Sequence, residues 1–461
     1  MTNDLDKDTN NFFPSIIHDD DNLYHLLNEV SRVICDWFKD TNNLSPLPQK
    51  LDFINVDPSE YGLHEGELIN EIKKLIYSSY VPSHPGSLAH LDPPPLTASI
   101  IGDLIAGALN NNLLAEDLSP SISLLENDIC RWIASKLNLG INSGGIAASG
   151  GTLNNLNALV TARHISGLDH DPNAAFILSE DAHVSFKKCA RIIGLKEENM
   201  ILVSTNSDGK MSISSLLETI QRAKAMEKKI FAIIATLGTT IRGAIDPIVE
   251  IDEICRKEEI WLHIDGSIGG IFSLASNNLD GFPKVIYANS ITINPQKVLG
   301  ITKTSSILLV SNMKTLKDTF YTGLPYIDSS DDVVNRGELG VQGSRPAEII
   351  KLWISIQLLG LNGINKVVSE SITKRLNFEK LLDSSKFEIF SGPLHIISFI
   401  PKGMNIDQSN IWTLNKKKIL MDNKFMISRP FYKDRFCLRI VFGNFNTKES
   451  HLIKLSQLIN E

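Results

Sequence analysis

The chain has 461 residues, with 53 acidic side chains against 45 Lys and Arg, which gives a formal net charge of −8. Single cores stop growing near ~250–300 residues, so this length predicts one large domain with smaller attachments. The charge argues against a general nucleic-acid-binding surface, and five scattered cysteines without a C-x-x-C pair argue against a zinc site or a disulfide framework. A polar start and the lack of any run of ~18 apolar residues predict a cytoplasmic protein rather than a secreted or membrane-spanning one.

Two amphipathic helices are predicted near the start of the chain, over Asn22–Lys39 and Glu65–Ser78, because apolar residues recur there at helical intervals. Neither helix has an obvious partner in its own neighbourhood. They predict an N-terminal helical arm, residues 1–79, that packs on something else, such as another subunit. The next segment, VPSHPGSLAHLDPPP (81–95), holds five prolines and predicts an irregular, exposed connection that helps to form a pocket.

Helices alternate with short apolar strands in the middle of the chain. Two helices are predicted between Leu96 and Leu137, and a Gly-rich turn then leads into a further helix. Strands are predicted in the segments AAFILS, NMILVST, KKIFAIIATLGTT, IWLHIDGSIGG, SITINP and TSSILLVS. This alternation predicts a large α/β domain over residues 80–347, with a mostly parallel sheet covered on both faces. From residue 348 a long helix and mixed elements predict a smaller C-terminal α+β domain, residues 348–461.

Polar residues stand where several of these strands end, and ligands of such sheets bind beyond the carboxyl ends of the strands. They are the Gly-rich turn Ser149-Gly150-Gly151-Thr152, His183, Thr236, Asp265 and Lys297. Each alone has an ordinary explanation. The turn can be a capped helix entry, the histidine a satisfied core residue, the acid a salt-bridge partner and the lysine a solvated charge.

Taken together, these residues match what pyridoxal phosphate requires. A helix N-terminus attracts the phosphate, and a lysine holds the aldehyde as a Schiff base. An acid keeps the pyridine nitrogen protonated, so that the ring acts as an electron sink. A flat side chain such as His183 can cover the ring, and Thr236 can bond near the ring hydroxyl or the acid. The sequence therefore predicts a pyridoxal-phosphate site around Lys297 and Asp265.

Eight segments stand in an order that resembles the group II pyridoxal-phosphate-dependent amino-acid decarboxylases, a family that includes aromatic-amino-acid, histidine, glutamate and 2,4-diaminobutyrate decarboxylases. The segments are HPGSLAHLDPPP, LSPSISLLENDICRWIASKL, SGGTLNNLNAL, DAHVSFKKCARIIGL, IATLGTTIRGAIDPI, IWLHIDGSIGG, NPQKVLG and GSRPAEIIKLW. The match runs from about His84 to the C-terminus. The resemblance implies the aspartate-aminotransferase-like fold type I, pyridoxal 5'-phosphate as cofactor, and a homodimer with shared active sites. The charge and the lack of a long apolar run predict no nucleic-acid or membrane partner.

The resemblance also implies a role for individual residues. Lys297 matches the Schiff-base lysine, whereas Lys303, six residues further on, lies outside that motif. Asp265 matches the acid that pairs with the pyridine nitrogen. His183 matches the histidine stacked on the cofactor ring, and Thr236 matches the threonine under it.

The phosphate side of the motif carries both matches and departures. Gly151 and Thr152 fall where the family holds phosphate with backbone and hydroxyl groups, and Asn294 falls on another phosphate-side position. Gln296 stands where the family commonly has histidine, and a glutamine cannot carry a proton near neutral pH. Where the family often reads Ala-Ala-Tyr after the acid, this chain reads Gly-Ser-Ile, so that Ser267 adds a hydroxyl near the ring and the tyrosine is lost.

The activity implied by the resemblance is decarboxylation of an L-amino acid to the corresponding amine, with release of carbon dioxide. In the family a loop tyrosine supplies a proton; Tyr326 lies at about the right distance from Lys297, and Tyr321 is its rival. Two alternatives stay open: oxidative decarboxylation–deamination to an aldehyde, and a cofactor-binding but inactive homologue. Candidate substrates are aromatic, acidic and small basic amino acids, with His90 or Ser87 as contacts in the pocket.

Overall fold

The computed structural model describes residues 14, 21–52, 54, 56–58, 60–275, 282, 287–323 and 335–461. The helices of these residues are α1 Asp21–Lys39, α2 Glu65–Tyr77, α3 Thr97–Leu109, α4 Pro120–Lys136, α5 Gly151–Ile165, α6 Ser185–Ile192, α7 Ile213–Ala225, α8 Ile248–Glu258, α9 Gly270–Leu274, α10 Lys314–Phe320, α11 Ile349–Leu381, α12 Ile406–Asp422 and α13 Glu449–Asn460. The strands are β1 Gly144–Ala148, β2 Ala174–Ser179, β3 Met200–Val203, β4 Lys229–Thr236, β5 Trp261–Gly266, β6 Ser290–Ile293, β7 Ser306–Val310, β8 Phe387–Ser391, β9 Ile396–Pro401, β10 Phe431–Tyr432, β11 Arg435–Phe436 and β12 Leu438–Val441. Within the described ranges, no helix is both long and apolar enough to span a membrane.

A seven-stranded sheet in the order β1-β7-β6-β5-β4-β2-β3 forms the centre of the protein. The five strands from β6 to β3 pair in parallel, whereas β7 runs antiparallel to both of its neighbours. Successive strand residues face opposite sides: Phe176 packs in one apolar cluster and Ile177 in another. The predicted α/β fold with a mostly parallel sheet covered on both faces is confirmed.

The first strand of this sheet lies where the glycine-rich sequence predicts only a turn before a helix. Residues Gly144–Ala148 form β1 and pair antiparallel with β7. A Cβ atom on Gly145 would lie 2.1 Å from the carbonyl oxygen of Leu308, so glycine is needed for the close approach of β7. Glycine weakens strands in general, and its local pattern therefore did not reveal this one.

The N-terminal arm consists of α1 and α2, which pack against each other. Their bounds lie within a residue of the two predicted helices. The hydroxyl of Tyr77 at the end of α2 donates a 3.0 Å hydrogen bond to Asp40 and ties the arm together. Both helices also expose large apolar side chains, including Tyr24 on α1 and Leu75 on α2.

The proline-rich segment 81–95 is less exposed than its sequence predicts, because residues 83–89 are buried. Three side chains near the C-terminus supply hydrogen bonds to its backbone carbonyls. Asn444 donates to the carbonyl of His84 at 2.7 Å, and Asn446 and Thr447 donate to the carbonyls of Ser83 and Pro85, also at 2.7 Å. A buried irregular backbone needs such partners, and they lie more than 350 residues away in the sequence.

The C-terminal part is built on α11 and a three-stranded antiparallel sheet in the order β12-β9-β8. The predicted boundary between residues 347 and 348 falls just before α11. That helix is interrupted at Gly360, where φ is 58°. Its first half packs on α3 so closely that a Cβ atom on Gly102 would lie 2.4 Å from the Cα of Lys351.

Two acidic side chains hold the chain on either side of residues 324–334. Oε1 of Glu338 accepts hydrogen bonds from the backbone N–H of Thr322 at 3.2 Å and of Gly323 at 2.9 Å. Glu126 is fully buried and pairs with Arg336 at 2.9 Å and Arg345 at 2.6 Å. Burial alone would raise the pKa of Glu126, but the two guanidinium charges outweigh it and lower the pKa to about 2. The chain therefore enters and leaves this segment at nearly the same place.

Candidate active site

The carboxyl ends of β4, β5 and β6 form one rim of the large sheet. Thr236 lies beside Asp265 in the register of β4 and β5, and Asp265 lies beside Thr292 in that of β5 and β6. Lys297 follows β6 on the same rim, and the turn into α5 approaches it through Asn294 and Ser267. The structure thus brings the polar strand-end residues of the sequence into one neighbourhood.

Lys297 ends a single 3₁₀ turn, Pro295–Lys297, whose first position suits the fixed φ of proline. Burial lowers the pKa of the Lys297 ammonium, although the negative charge of Asp265 opposes that shift. Among the described residues, Lys297 makes no side-chain hydrogen bond or ion pair. Lys303 differs, because its side chain is 53% exposed and forms an ion pair with Asp92. The geometry therefore singles out Lys297 as the lysine with a reactive environment.

Asp265 is only 4% exposed, and both of its carboxylate oxygens are hydrogen-bonded. Oδ1 accepts from the backbone N–H of Ser267 at 3.1 Å, and Oδ2 accepts from Nδ2 of Asn155 at 3.2 Å. Burial raises the pKa of Asp265, but the charge of Lys297 and the hydrogen bond from Ser267 outweigh it and hold the pKa below its ordinary value. The site thus contains a buried, ionised carboxylate with lone pairs left for a further donor.

His183 lies four residues beyond β2, in the loop that leads to α6. Its Nδ1 accepts a hydrogen bond from the backbone N–H of Ser185 at 3.2 Å, which leaves the proton of the neutral ring on Nε2. Burial lowers the pKa of His183, and Asp265 opposes this effect. The imidazole is therefore a flat, neutral group next to Asp265 and Lys297.

The hydroxyl of Thr236 is buried at the end of β4. Its Oγ1 has no hydrogen-bond partner among the residues that the structure describes, whereas its backbone N–H donates to Asp246 at 2.8 Å. Burial raises the pKa of Asp246 to about 6. An unpaired buried hydroxyl is costly, so the position of Thr236 suits contact with a ligand.

The entrance of α5 is a concave site with polar walls. Gly150 adopts φ 130°, which favours glycine, and Gly151 begins the helix. A Cβ atom on Gly151 would lie 2.8 Å from both Nδ2 of Asn294 and Oγ of Ser267. The second helical residue, Thr152, is partly buried. Free backbone N–H groups at a helix N-terminus, surrounded by an amide and a hydroxyl, suit a phosphate.

A second layer of side chains fixes the direction of the Asn294 amide. Nδ2 of Asn154 donates to Oγ of Ser306 at 2.6 Å, and Ser306 donates to Oδ1 of Asn294 at 2.5 Å. The oxygen of Asn294 is thereby occupied on the side of Ser306. Its Nδ2 donors consequently face Gly151, the polarity that an anion requires.

Several residues of this site were not singled out from the sequence, namely Asn154, Asn155, Asp246 and His263. The two asparagines are buried in the N-terminal part of α5, within the segment LNNLNAL. Asparagine is a poor helix former, so consecutive asparagines inside a predicted helix were a usable signal. A second signal was the alternation of Trp, His and Asp along β5, because alternate strand residues share a face.

The remaining predicted residues have different positions. Oε1 of Gln296 accepts from the backbone N–H of Ser305 at 2.6 Å, so this residue braces the chain after Lys297. The hydroxyl of Ser87 is buried and donates to the carbonyl of Val81 at 2.6 Å. Tyr321 is half exposed at the end of α10, and Lys317 lies over its ring. Tyr326 lies outside the described residues.

The pyridoxal-dependent decarboxylase conserved domain matches residues 48–399, well over half of the chain. The chain belongs to the pyridoxal-dependent decarboxylase family. It is 27% identical over 412 residues to the aromatic-L-amino-acid decarboxylase of Bacillus atrophaeus, covering 87% of this chain and 86% of that protein. It is 26% identical over 358 residues to the L-2,4-diaminobutyrate decarboxylase of Rhizobium meliloti (strain 1021), covering 76% and 70%.

Among solved structures, the crystal structure of Oryza sativa TDC with PLP and tryptamine superposes with a TM-score of 0.87 and 21% identity. The superposition covers 97% of this chain and all of that chain, and it shows that the fold is shared. This decarboxylase is a lyase that uses pyridoxal phosphate to convert an amino acid to an amine. The group fits the residues present, because an unpaired threonine hydroxyl, a partly buried amine, a buried carboxylate and an anion cradle meet on one rim.

Proposed function

We propose that this decarboxylase holds its cofactor through Nζ of Lys297 and acts on an L-amino acid, from which it releases carbon dioxide. The observation that carries the proposal is the presence of a partly buried Lys297 near a buried, ionised Asp265, beside the anion cradle of α5. A lysine with a lowered pKa has more of the neutral amine that a carbonyl group requires.

Several surrounding residues would hold the cofactor, each at a different part of it. Asp265 would hold the pyridine nitrogen, His183 would cover the ring and Thr236 would contact it through its unpaired hydroxyl. Four residues at the entrance of α5 and the rim beside it would hold the phosphate: Gly151, Thr152, Asn294 and Ser267. Pyridoxal phosphate supplies an electron sink for the carbon atom that loses its carboxylate.

A tyrosine gives its Oη proton to the substrate α-carbon once carbon dioxide has left. Tyr326 is the proposed donor, and Tyr321 is the alternative because its half-exposed ring lies just before residues 324–334. His183 is a poor donor of that proton, because burial lowers its pKa and keeps the ring neutral. Nζ of Lys297 would then hold the cofactor again as the amine product leaves.

The lysine assignment is tested by borohydride reduction of the purified protein, proteolysis and mass spectrometry. The cofactor should be trapped on Lys297. The Lys297→Ala variant should lose both the trapped adduct and carbon dioxide release, whereas Lys303→Ala should keep both. An adduct on Lys303 would contradict the proposal.

Substrate and product are tested with a panel of aromatic, acidic and small basic L-amino acids. Carbon dioxide and amine should form in equal amounts without oxygen consumption. Tyr326→Phe should lower amine formation or divert the product to aldehyde with oxygen uptake, whereas Tyr321→Phe should not. The reverse result would assign the proton to Tyr321, and aldehyde from the unaltered protein would favour the oxidative alternative.

We also propose that the protein works as a homodimer in the cytoplasm. Exposed apolar side chains on the arm and on the α3–α11 pair, among them Leu75, Leu104 and Leu358, favour a partner surface of the same chain. The cytoplasmic location is supported by the five cysteines, all of which are unpaired and four of which are buried.

A further inference from the structure

A line of buried polar side chains leads away from Asp265 beneath the large sheet's rim. Trp261, His263 and Asp265 occupy alternate positions of β5 and therefore share one face. His263 is fully buried, and it lies opposite Ser290 in the pairing of β5 with β6. Asn155 on α5 packs against the same face and contacts His263.

Four hydrogen bonds join these residues in sequence. Nε1 of Trp261 donates to Oγ of Ser290 at 2.8 Å, and Oγ of Ser290 lies 2.8 Å from Nδ1 of His263. Nε2 of His263 lies 3.2 Å from Oδ1 of Asn155. Nδ2 of Asn155 donates to Oδ2 of Asp265 at 3.2 Å.

The carboxylate of Asp265 fixes the direction of the bonds in this chain, because an ionised carboxylate can only accept. Asn155 must donate from Nδ2 to that carboxylate, so its Oδ1 accepts from Nε2 of His263. Nδ1 therefore accepts from the hydroxyl of Ser290, which accepts from Trp261, and the neutral ring carries its proton on Nε2. That proton occupies Oδ1 of Asn155 and turns the amide nitrogen toward Asp265.

We propose that Trp261, Ser290, His263 and Asn155 form a one-way hydrogen-bond chain that positions Asp265 and keeps it ionised for the cofactor. This role rests on the proposed function of Asp265 as partner of the pyridine nitrogen. If the chain lost its direction, the Asn155 amide could turn and present its oxygen to the carboxylate. Two oxygens facing each other would favour protonation of Asp265, and a protonated acid cannot hold a charge on the ring.

The environment of His263 supports a neutral ring, which donates through one nitrogen and accepts through the other. Burial lowers the pKa of His263 to about 4, so the ring has a single N–H proton at neutral pH. The ring of Phe186 also packs near the imidazole in an edge arrangement, with centroids 6.2 Å apart. These contacts make His263 a positioning residue rather than a group that touches substrate.

The direction of the chain is measured by nuclear magnetic resonance of cofactor-free protein labelled with ¹⁵N-histidine. The His263 signals, assigned by their loss in His263→Gln, should show the Nε2–H tautomer alone. Asn155→Leu and Ser290→Ala should each produce a mixture of tautomers, because each removes one partner of the His263 ring. Thr161→Val is the control, because its buried hydroxyl bonds only a carbonyl of its own helix, and it should leave the tautomer unchanged. An Nδ1–H tautomer in the unaltered protein, or no change in both variants, would overturn the proposal.

The consequence for the site is measured as the dissociation constant of pyridoxal phosphate. Asn155→Leu should weaken cofactor binding about tenfold, since one lost hydrogen bond to a charged group is worth roughly that factor. Ser290→Ala should give a smaller loss in the same direction, and Thr161→Val none. Unchanged affinity in both Asn155→Leu and Ser290→Ala would refute a positioning role.

Asp265→Asn separates the failure of this chain from the failure of the proposed function. Loss of decarboxylation in Asp265→Asn, together with normal tautomer and affinity in the Asn155 and Ser290 variants, would refute the chain and leave the function standing. Full activity of Asp265→Asn would refute the function of that carboxylate, and the chain's role with it.

Discussion

At the scale of single residues, Gly151 has the closest fit to the proposed phosphate site. Gly151→Ala should weaken cofactor binding at least about tenfold, because its Cβ would lie 2.8 Å from Asn294 and Ser267, where the anion has to sit. Titration of cofactor-free protein with pyridoxal phosphate measures this. Gly107→Ala is the control, since a Cβ there meets nothing within 4 Å. Equal affinity of the two variants would place the phosphate elsewhere.

His395 makes a second prediction, about pH and stability. Its ring is fully buried, stacks on Phe272 at a centroid distance of 5.2 Å, and has no hydrogen-bond partner within the described chain. Burial lowers the pKa of His395 to about 3 in the folded state, whereas the pKa of an unfolded histidine is about 6.5. Burial of the neutral ring therefore contributes fully to the stability of the fold above pH 6.5, and this contribution is lost as the pH falls toward 3.

His395→Phe should therefore reduce the loss of stability on acidification. Between pH 7.5 and 5.0 the free energy of unfolding of the unaltered protein should fall by about 2 kcal/mol more than that of the variant. Denaturant titrations at the two pH values measure the difference. Replacement of the exposed His170 by Phe should not change it, and an identical pH dependence of His395→Phe would contradict a buried neutral ring.

The residues of the site differ in how far the sequence could predict them. Lys297 and Asp265 were predictable because each stands at a strand end, where sheets of this kind bind ligands. Asn155 and His263 were not, because their hydrogen bonds join residues 108 positions apart. The orientation of an amide or imidazole depends on such partners rather than on its sequence neighbours.

At the scale of elements, the hairpin of β10 and β11 connects the C-terminal domain to the loop that carries His183. The hydroxyl of Tyr432 donates to Oδ2 of Asp181 at 2.9 Å, and Nζ of Lys433 donates to the Thr205 hydroxyl at 3.2 Å. Burial raises the pKa of Tyr432 to about 12, so its hydroxyl stays a donor at neutral pH. Because Asp181 lies two residues before His183, the hairpin braces the proposed ring contact.

Tyr432→Phe tests that brace. The variant leaves Asp181 without its donor, so the free energy of unfolding should fall by about 1–3 kcal/mol. The maximal rate of carbon dioxide release should fall, and the Michaelis constant should change less, because the His183 loop would be less well positioned. Denaturation and initial-rate measurements check both effects, with the exposed Tyr24→Phe as control. Full maximal rate with lowered stability would restrict Tyr432 to a structural role.

The elements show which local patterns were informative. The strands from β2 to β7 are short apolar runs, and the predicted segments contain all of them. β1 was missed because its glycines serve the approach of β7, a tertiary requirement. Segment 81–95 was predicted as exposed because prolines favour irregular backbone, yet its carbonyl partners come from residues 444–447.

At the scale of the whole molecule, the exposed apolar surface of α3 and α11 predicts self-association. Leu104→Asp combined with Leu358→Asp should convert the proposed dimer to a monomer with little decarboxylase activity, because two charges would enter an apolar interface. Sedimentation equilibrium and carbon dioxide release measure this. Leu217→Asp on α7 changes another exposed leucine, outside α3 and α11, and should preserve both properties. An active monomer of the unaltered protein would contradict the dimer.

The overall fold was predictable because alternating apolar strands and helices constrain a parallel sheet strongly. The resemblance of the motifs supplied the cofactor and the reaction. The buried polar side chains behind the site could be predicted neither from the alternation of strands and helices nor from the motifs. Such side chains look like ordinary loop or helix residues until their partners are known.

The segment of residues 324–334 could be exchanged as a unit, because the chain is held on both sides of it. Both of its ends are held on the scaffold, by Glu338 at Thr322 and Gly323 and by Glu126 at Arg336. Since loop closure costs only about 0.6 kcal/mol for each doubling of length, loops of other lengths and compositions could be grafted there at small cost. The position that carries Tyr326 is therefore one where new product chemistry could be introduced without rebuilding the protein.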